Sequence, residues 1–116
     1  MAVDCLFCRI VAREIPADVV YETDQVLAFR DIAPKAPVHV LVIPKEHHPT
    51  FAALGQEDPA LAGALAAACG QVALDEGVAD AGYRVLFNSG PNAGQEVFHV
   101  HAHVLGGKPL GPMLAR

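Results

Sequence analysis

Three histidines alternate with apolar residues near the carboxyl end of the chain. They are His99, His101 and His103, within the run Phe-His-Val-His-Ala-His-Val that starts at residue 98. Successive side chains of a β-strand point to opposite faces, so the run predicts three imidazoles on one face, about 6.5–7 Å apart. Neutral imidazole is a metal ligand and also a nucleophile at about pH 7. The spacing leaves a metal site and a nucleophilic site as alternatives, and disfavours a strand whose polar face is histidine by chance.

Two cysteines lie near the start of the chain, as Cys5-Leu6-Phe7-Cys8. This spacing supplies half of a zinc site, because structural zinc takes four ligands and the sequence has no second such pair. The alternative is that Cys5 and Cys8 are small apolar residues buried on the first helix. Zinc is the preferred interpretation. Cys69 is left over, within an alanine-rich stretch.

The length and composition fit one compact domain, residues 1–116. Of the 116 residues, 53% are hydrophobic and 18% are charged, which is enough to build one core and keep a polar surface. The formal net charge of −5 argues against long nucleic acid as a partner. A single phosphorylated small molecule can still be held by local hydrogen-bond donors and imidazoles.

The amino-terminal stretch lacks an uninterrupted apolar run of signal-peptide length, since charged residues divide it at Asp4, Arg9, Arg13 and Glu14. No segment of the sequence approaches the span of a membrane helix. We therefore expect a cytoplasmic protein with no membrane partner. In that compartment thiols stay reduced, which favours metal binding over a disulfide for the cysteine pair.

The elements that must position these residues follow from apolar periodicity and from turn-forming residues. In the first half the pattern predicts a short helix over 4–13, hairpin strands over 19–21 and 26–29, a third strand over 38–43 and a short helix near 48–54. The third strand carries His39 and Leu41 on one face.

The second half begins with the longest helix. Asp58 is predicted as its cap, Pro59 as its first residue and Gly77 as its stop. Further strands are predicted over 83–88 and 98–105, and an irregular tail over 106–116. Five strands without repeated strand-helix-strand units predict an α+β domain with a mostly antiparallel sheet, one long helix and one or two short helices.

The segment from His99 to Gly107 resembles the signature of the histidine triad (HIT) superfamily, Hint branch. The similarity extends through most of the chain, over residues 14–16, 28–32, 36–39, 43–45, 88 and 94–99. It implies a single HIT domain. The implied activity is hydrolysis of purine nucleoside phosphoramidates or related adenylates through a covalent nucleotidyl-histidine intermediate.

The resemblance also implies roles for the histidines. His101 attacks the α-phosphorus, His103 lies against the phosphate and helps to protonate the leaving amine, and His39 orders the cluster. Imidazole chemistry agrees with the first role, because a group with a pKa of about 6.5 is mostly neutral in the cytosol and is a good leaving group.

The nucleotide-binding residues are implied in the same way. The implied base slot comprises Phe7, Ile10, Phe29, Ile32 and Leu41, although composition alone favours ordinary core for them. Asp31 would bind ribose hydroxyls, and Asn88, Gly94, Glu96 and Val97 would lie at the phosphate. Some Hint proteins carry a hydroxyl residue where this chain has Glu96, so its backbone amide is assigned in preference to its carboxylate.

Zinc-bearing members of the superfamily imply His47 and His99 as the ligands that complete the set begun by Cys5 and Cys8. His48 is the adjacent competitor. The zinc is expected to be structural and is not required for the chemical step. The resemblance also implies a homodimer that binds a purine nucleotide.

Three further functions stay open at this point. The first is nucleotidyl transfer or dinucleoside polyphosphate hydrolysis, which keeps the covalent step and changes the leaving group or acceptor. The second is a non-catalytic nucleotide-binding or interaction module. The third is a metal-dependent hydrolase with zinc on several of the triad histidines.

Overall fold

The computed structural model describes residues 5–114 and forms an α+β fold around one five-stranded sheet. The strands are β1 (Val19–Glu22), β2 (Val26–Arg30), β3 (Val38–Pro44), β4 (Tyr83–Phe87) and β5 (Ala102–Gly106). The helices are α1 (Leu6–Val11), α2 (Phe51–Glu57) and α3 (Pro59–Asp75), with a 3₁₀ turn over Pro91–Ala93. The strand order is β1-β2-β3-β5-β4 and each neighbouring pair is antiparallel, which confirms the predicted fold class.

The two faces of the sheet carry different cores. On one face, alternate residues of β2, β3 and β5 pack against the buried side of α3. On the other face, Leu27, Phe29, Leu41 and Ile43 pack with residues of α1. His39 precedes Leu41 by two positions on β3, so it lies on this second face, where the histidines gather.

The long helix α3 forms as its sequence signals predict. The Asp58 side chain accepts a hydrogen bond from the Leu61 amide at 3.0 Å, and Pro59 begins the helix. Gly77 follows the helix with a φ of +76°, a conformation that favours glycine. Cys69 is buried on this helix, within the core of the α3 face.

The short helices differ from the prediction in their limits. The first was predicted over 4–13 and extends over Leu6–Val11; residue 4 lies outside the described residues. The second was predicted near 48–54 and begins at Phe51 instead. Thr50 sets that start, because its hydroxyl accepts a hydrogen bond from the Ala53 amide at 3.3 Å.

The predicted strand over 98–105 was wrong at its start, because β5 begins only at Ala102. In the β3–β5 register Val42 pairs with Ala102, so continued pairing would set Pro44 opposite Val100. Proline has no amide hydrogen to donate to a ladder, and the Val100 amide instead donates to the His48 carbonyl at 2.7 Å. The preceding segment is therefore held outside the sheet ladder.

The chain from Gly107 to Leu114 forms no helix or strand, and the Arg84 guanidinium donates a hydrogen bond to the Gly111 carbonyl at 2.7 Å. Within residues 5–114, no helix combines the length and apolar character needed to cross a membrane.

Candidate active site and adjoining metal cluster

The three histidines assigned to catalysis come together on the α1 face of the sheet. The His39 Nε2 and His103 Nδ1 atoms are 2.9 Å apart, and the rings of His101 and His103 have centroids 5.0 Å apart. β3 and β5 are hydrogen-bonded neighbours, which brings His39 and His103 together although 64 positions separate them. His101 lies just before β5 and still faces the same side.

The tautomer of His101 is set by the backbone. Its Nδ1 lies 2.8 Å from the His99 carbonyl oxygen, which can only accept a hydrogen bond. The proton of the neutral ring is therefore on Nδ1, and Nε2 keeps a free lone pair. The ring of Phe7 meets His101 edge to face at 5.0 Å and limits its rotation. His101 thus has the form that a nucleophile needs.

A second backbone group sets the tautomers of the other two histidines. The Lys35 amide donates to His39 Nδ1 at 3.1 Å, so the proton of a neutral His39 lies on Nε2. That Nε2–H donates to His103 Nδ1, and the proton of His103 is thereby placed on its own Nε2. Burial lowers the pKa of His39 and lowers that of His103 to about 4, so both rings are neutral at about pH 7.

The Nε2–H of His103 is a buried donor that meets no acceptor among the described residues. A buried polar group without a partner costs about 1–3 kcal/mol, and native proteins seldom leave one unpaired. The centroids of the His101 and His103 rings are 5.0 Å apart. The pair offers one donor and one nucleophile to the same ligand.

The lowered pKa of His103 makes stability depend on pH. The unfolded chain takes up a proton at about 6.5 and the folded chain only at about 4, so stability falls as pH decreases through this interval. Between about pH 7.5 and pH 5, His103 is expected to account for about 2 kcal/mol of lost stability. Urea unfolding of the wild type and of His103→Asn at both pH values measures this contribution.

The asparagine oxygen can still accept from His39, which makes His103→Asn a conservative change. The variant should lose less stability between the two pH values than the wild type. Equal losses in the two proteins would contradict the assignment of a neutral His103.

A cavity of about 580 Å³ adjoins the histidines on the α1 face. All six residues predicted for base and ribose line it: Phe7, Ile10, Phe29, Asp31, Ile32 and Leu41. It meets the histidines at two points, since Phe7 contacts His101 and the Asp31 Oδ2 atom is 3.5 Å from His39 Nε2. Ile32 is fully exposed at its mouth.

Sequence reasoning missed one wall of this cavity. The segment from Ile15 to Asp18 lines it, together with Leu6 and Arg30. The Ile15-Pro16 step was available as a signal, because proline favours extended backbone at the residue before it.

The residues predicted at the phosphate do not line this cavity. Asn88 follows β4, Gly94 has a φ of +83° in the next loop, and Glu96 and Val97 border a separate groove with Cys5. Sequence reasoning did not identify Gln95, whose buried side chain stabilises the loop that contains Gly94, Glu96 and Val97. It accepts from the Gly90 amide at 2.8 Å and donates to the carbonyls of Pro49 and Val97.

A second cluster joins α1 to the segment before β5. Ligand atoms of Cys5, Cys8, His47 and His99 lie within 4.8 Å of one another, so the cluster could hold a metal ion. The closest Sγ–Nδ1 distances are 3.4 Å, for Cys5–His99 and Cys8–His47, and 3.5 Å for Cys8–His99. Tetrahedral zinc separates sulfur and nitrogen ligands by about 3.5 Å, so the donor set fits that ion.

The surroundings of this cluster also suit a metal. The His99 Nε2–H donates to the Pro44 carbonyl at 2.7 Å, which leaves Nδ1 as the lone pair directed at the thiols. Burial lowers the pKa of His99 to about 4 and, with Cys5, raises the pKa of the Cys8 thiol to about 11. A cation among these groups would favour the thiolate form.

His48, the competing ligand, lies outside the cluster. Its two ring nitrogens lie 2.7 Å from the carboxylates of Glu46 and Glu57. These two carboxylates outweigh burial and raise the pKa of His48.

The donor atoms of Asp31, His39 and His103 also lie close enough together to be considered as a metal site. Here the donor set does not fit, because the Lys35 amide puts the proton of His39 on Nε2, the nitrogen that would have to bind the ion.

Comparison with known proteins identifies the family of the chain. The profile of the HIT domain matches residues 12–110. The chain belongs to the HIT domain family. This HIT protein is 47% identical over 115 residues to the purine nucleoside phosphoramidase of Escherichia coli, covering 99% of this chain and 97% of that protein.

Solved structures of other HIT proteins have the same fold. A HIT family hydrolase from Clostridium thermocellum superposes with a TM-score of 0.93 at 43% identity, covering 99% of this chain and 100% of that chain. A histidine triad protein from Clostridium difficile gives a TM-score of 0.92 at 38% identity, covering 98% and 99% of the two chains. The predicted family is therefore confirmed.

Proposed function

We propose that the protein hydrolyses purine nucleoside phosphoramidates, the activity named for its Escherichia coli relative. The observation that carries the proposal is the pairing of two nitrogens at the cavity. His101 keeps a free lone pair on Nε2, His103 has an unpaired Nε2–H, and the centroids of the two rings are 5.0 Å apart. Attack on a phosphoramidate needs a nucleophile for phosphorus and a proton donor for the leaving amine, and the two rings offer one of each.

In the first step the His101 Nε2 lone pair attacks the α-phosphorus. A phosphorus–nitrogen bond forms to the imidazole and the bond to the leaving amine breaks, so the nucleotide becomes attached to His101. The leaving nitrogen takes a proton, which His103 Nε2–H is placed to supply. The Nδ1–H of His101 keeps its hydrogen bond to the His99 carbonyl oxygen, which stabilises the positive charge that develops on the ring.

In the second step water attacks the same phosphorus. The bond to His101 breaks, the imidazole recovers its lone pair, and a nucleoside monophosphate is released. Water gives up a proton, which restores His103 when that residue supplied one in the first step. His39 orients His103 throughout, because its own tautomer is fixed by the Lys35 amide.

The cavity supplies binding and orientation. Apolar walls from Phe7, Ile10, Phe29 and Leu41 suit the faces of a purine. The Asp31 Oδ1 atom accepts from the Ala33 amide at 2.8 Å, which fixes the carboxylate and leaves Oδ2 for ribose hydroxyls. The amides of the loop that contains Gly94, Glu96 and Val97, with the Asn88 side chain, would hold phosphoryl oxygens.

Zinc is proposed as the ion of the Cys5–Cys8–His47–His99 cluster, where it would supply structural cross-linking and no catalytic step. Its ligands would tie α1 to the segment that bears His101. The protein is further proposed to be cytoplasmic and to form a homodimer. The exposed edge strand β4, with Tyr83 and Val85 at its surface, is open to pairing with a second copy.

Steady-state hydrolysis of adenosine 5′-phosphoramidate tests the proposed activity. We expect turnover of this substrate with a kcat/KM at least about tenfold higher than for diadenosine tetraphosphate, because the leaving amine can take the proton of His103. Removal of metal from the assay should leave the reaction intact while the protein stays folded.

Other outcomes would contradict the proposal in distinct ways. Preference for the dinucleoside polyphosphate would favour the alternative hydrolase. Tight nucleotide binding without turnover of either substrate would indicate a binding module. Loss of activity on chelation without loss of structure would indicate catalytic metal.

A further inference from the structure

Cys5 and Cys8 are two free thiols that lie close together at the start of α1. Cys5 is the N-cap of the helix, and its Sγ atom accepts a hydrogen bond from the Cys8 amide at 3.4 Å. The two Sγ atoms are within 4.8 Å of each other. Side-chain rotation has to close only the gap between this distance and the sulfur–sulfur bond of about 2 Å. The pair therefore has the spacing that an internal disulfide requires.

The three cysteines differ in their exposure to a small reagent. Cys5 lines a surface groove of about 240 Å³, together with Leu6 and the segment 96–98. Cys69 is buried in α3 on the other face of the sheet, and burial raises the pKa of its thiol to about 11. Reactive cysteines are partly exposed, whereas buried ones are inert. An oxidant in solution is therefore expected to react at Cys5 and to spare Cys69.

The surroundings of Cys5 favour negative charge on its sulfur. The Nδ1 atom of His99 lies 3.4 Å from Cys5 Sγ and 3.5 Å from Cys8 Sγ. Because the Nε2–H of His99 donates to the Pro44 carbonyl, the Nδ1 lone pair can accept a hydrogen bond from a thiol. The Cys8 amide donates to Cys5 Sγ as well. Cys5 is thus placed as the reacting thiol, and Cys8 as the thiol that completes a disulfide.

We propose that Cys5 and Cys8 form a site of reversible oxidation, at which a hydroperoxide converts the two thiols into an internal disulfide. With hydrogen peroxide, the Cys5 sulfur attacks one oxygen and becomes a sulfenic acid, and the hydroxide that leaves takes up the Cys5 proton as water. The Cys8 sulfur then displaces the hydroxyl group from Cys5, and that group leaves as water with the Cys8 proton. Two thiols are oxidised and one peroxide is reduced to two waters.

The disulfide excludes the zinc proposed for the same cluster. Zinc binds thiolates, and the sulfurs of a disulfide are no longer thiolates. His47 and His99 would remain as only two of the four ligands. Oxidation is therefore expected to release the ion and to remove the cross-link between α1 and the segment before β5. Phe7 lies between the two cysteines and lines the nucleotide cavity, so the redox state of the pair is coupled to the wall of that cavity.

Treatment of the reduced full chain with hydrogen peroxide, followed by intact-mass measurement, tests the proposal. Cys69→Ala is treated in parallel, because Cys5 and Cys8 are then the only thiols of the chain. Both proteins should lose the mass of two hydrogen atoms and two alkylatable thiols, and should release bound zinc to a chromogenic chelator. Dithiothreitol should restore both thiols. In the wild type, Cys5 should react at least about tenfold faster than Cys69.

Two further variants separate the roles of the cysteines. Cys8→Ser should accumulate a sulfenic acid on Cys5, which dimedone captures, because the second thiol is missing. Cys5→Ser should form no internal disulfide and no dimedone adduct at the peroxide concentration that converts the wild type. Protein freed of metal by chelation should form the same disulfide, so the test does not depend on the proposed zinc.

Three results would overturn the inference. The first is survival of both thiols in a molar excess of peroxide. The second is oxidation of Cys69 before Cys5. The third is a disulfide that joins two chains instead of Cys5 and Cys8, which peptide mapping distinguishes. None of these results depends on the turnover of a phosphoramidate, so they are distinguishable from failure of the proposed function.

Discussion

Replacement of His101 by alanine is expected to lower kcat for phosphoramidate hydrolysis by about 10⁴-fold or more, as for other enzymes that lose a covalent nucleophile. The reason is that the His101 Nε2 lone pair is the group proposed to attack phosphorus. Binding of a nucleoside monophosphate should persist, because the alanine removes no residue that lines the cavity. Single-turnover kinetics and calorimetry measure the two effects separately.

The same variant tests the intermediate. Wild-type protein that is quenched during turnover should gain the mass of one nucleotidyl group, and His101→Ala should not. The quench must be alkaline and denaturing, because the bond between phosphorus and an imidazole nitrogen hydrolyses in acid. His48→Gln is the matched control, since it changes another buried histidine that lies outside the catalytic group. Normal turnover by His101→Ala would refute the nucleophile assignment.

Loss of one cysteine from the Cys5–Cys8–His47–His99 cluster is expected to remove the proposed zinc and much of the stability. Zinc that binds only the folded chain contributes about 4 kcal/mol when free zinc is roughly 1,000 times its Kd. Cys8→Ser removes the thiol that lies near both His47 and His99, so that contribution should disappear. Metal analysis and urea unfolding with and without a chelator measure these changes.

Cys69→Ala is the control for the loss of a thiol. Cys69 is buried in α3 on the opposite face of the sheet, so this variant should retain one zinc per chain. Chelation should destabilise the wild type and Cys69→Ala and leave Cys8→Ser unchanged. If the chelator does not change the free energy of unfolding of the wild type, the cluster holds no structural zinc.

The fold could be predicted from the sequence wherever a boundary depends on neighbouring residues. Asp58, Pro59 and Gly77 act locally, and the limits of α3 follow from them. The start of β5 could not be predicted in this way. It depends on Pro44, which lies across the sheet and reaches the segment only through the strand register.

In the candidate site, too, some features could be predicted from the sequence and others depend on residues distant in the chain. Alternation of the histidines indicates which side chains share a face, and family resemblance indicates which residues line the cavity. The protonated nitrogen of each ring depends on the Lys35 amide and the His99 carbonyl, backbone groups that have no sequence signature.

Four consecutive residues at the start of α1 contribute to two neighbouring sites. Cys5 and Cys8 face the metal cluster, while Phe7 between them lines the nucleotide cavity and touches both Phe29 and His101. Substitutions here are therefore expected to be epistatic, because each alters the setting in which the others act.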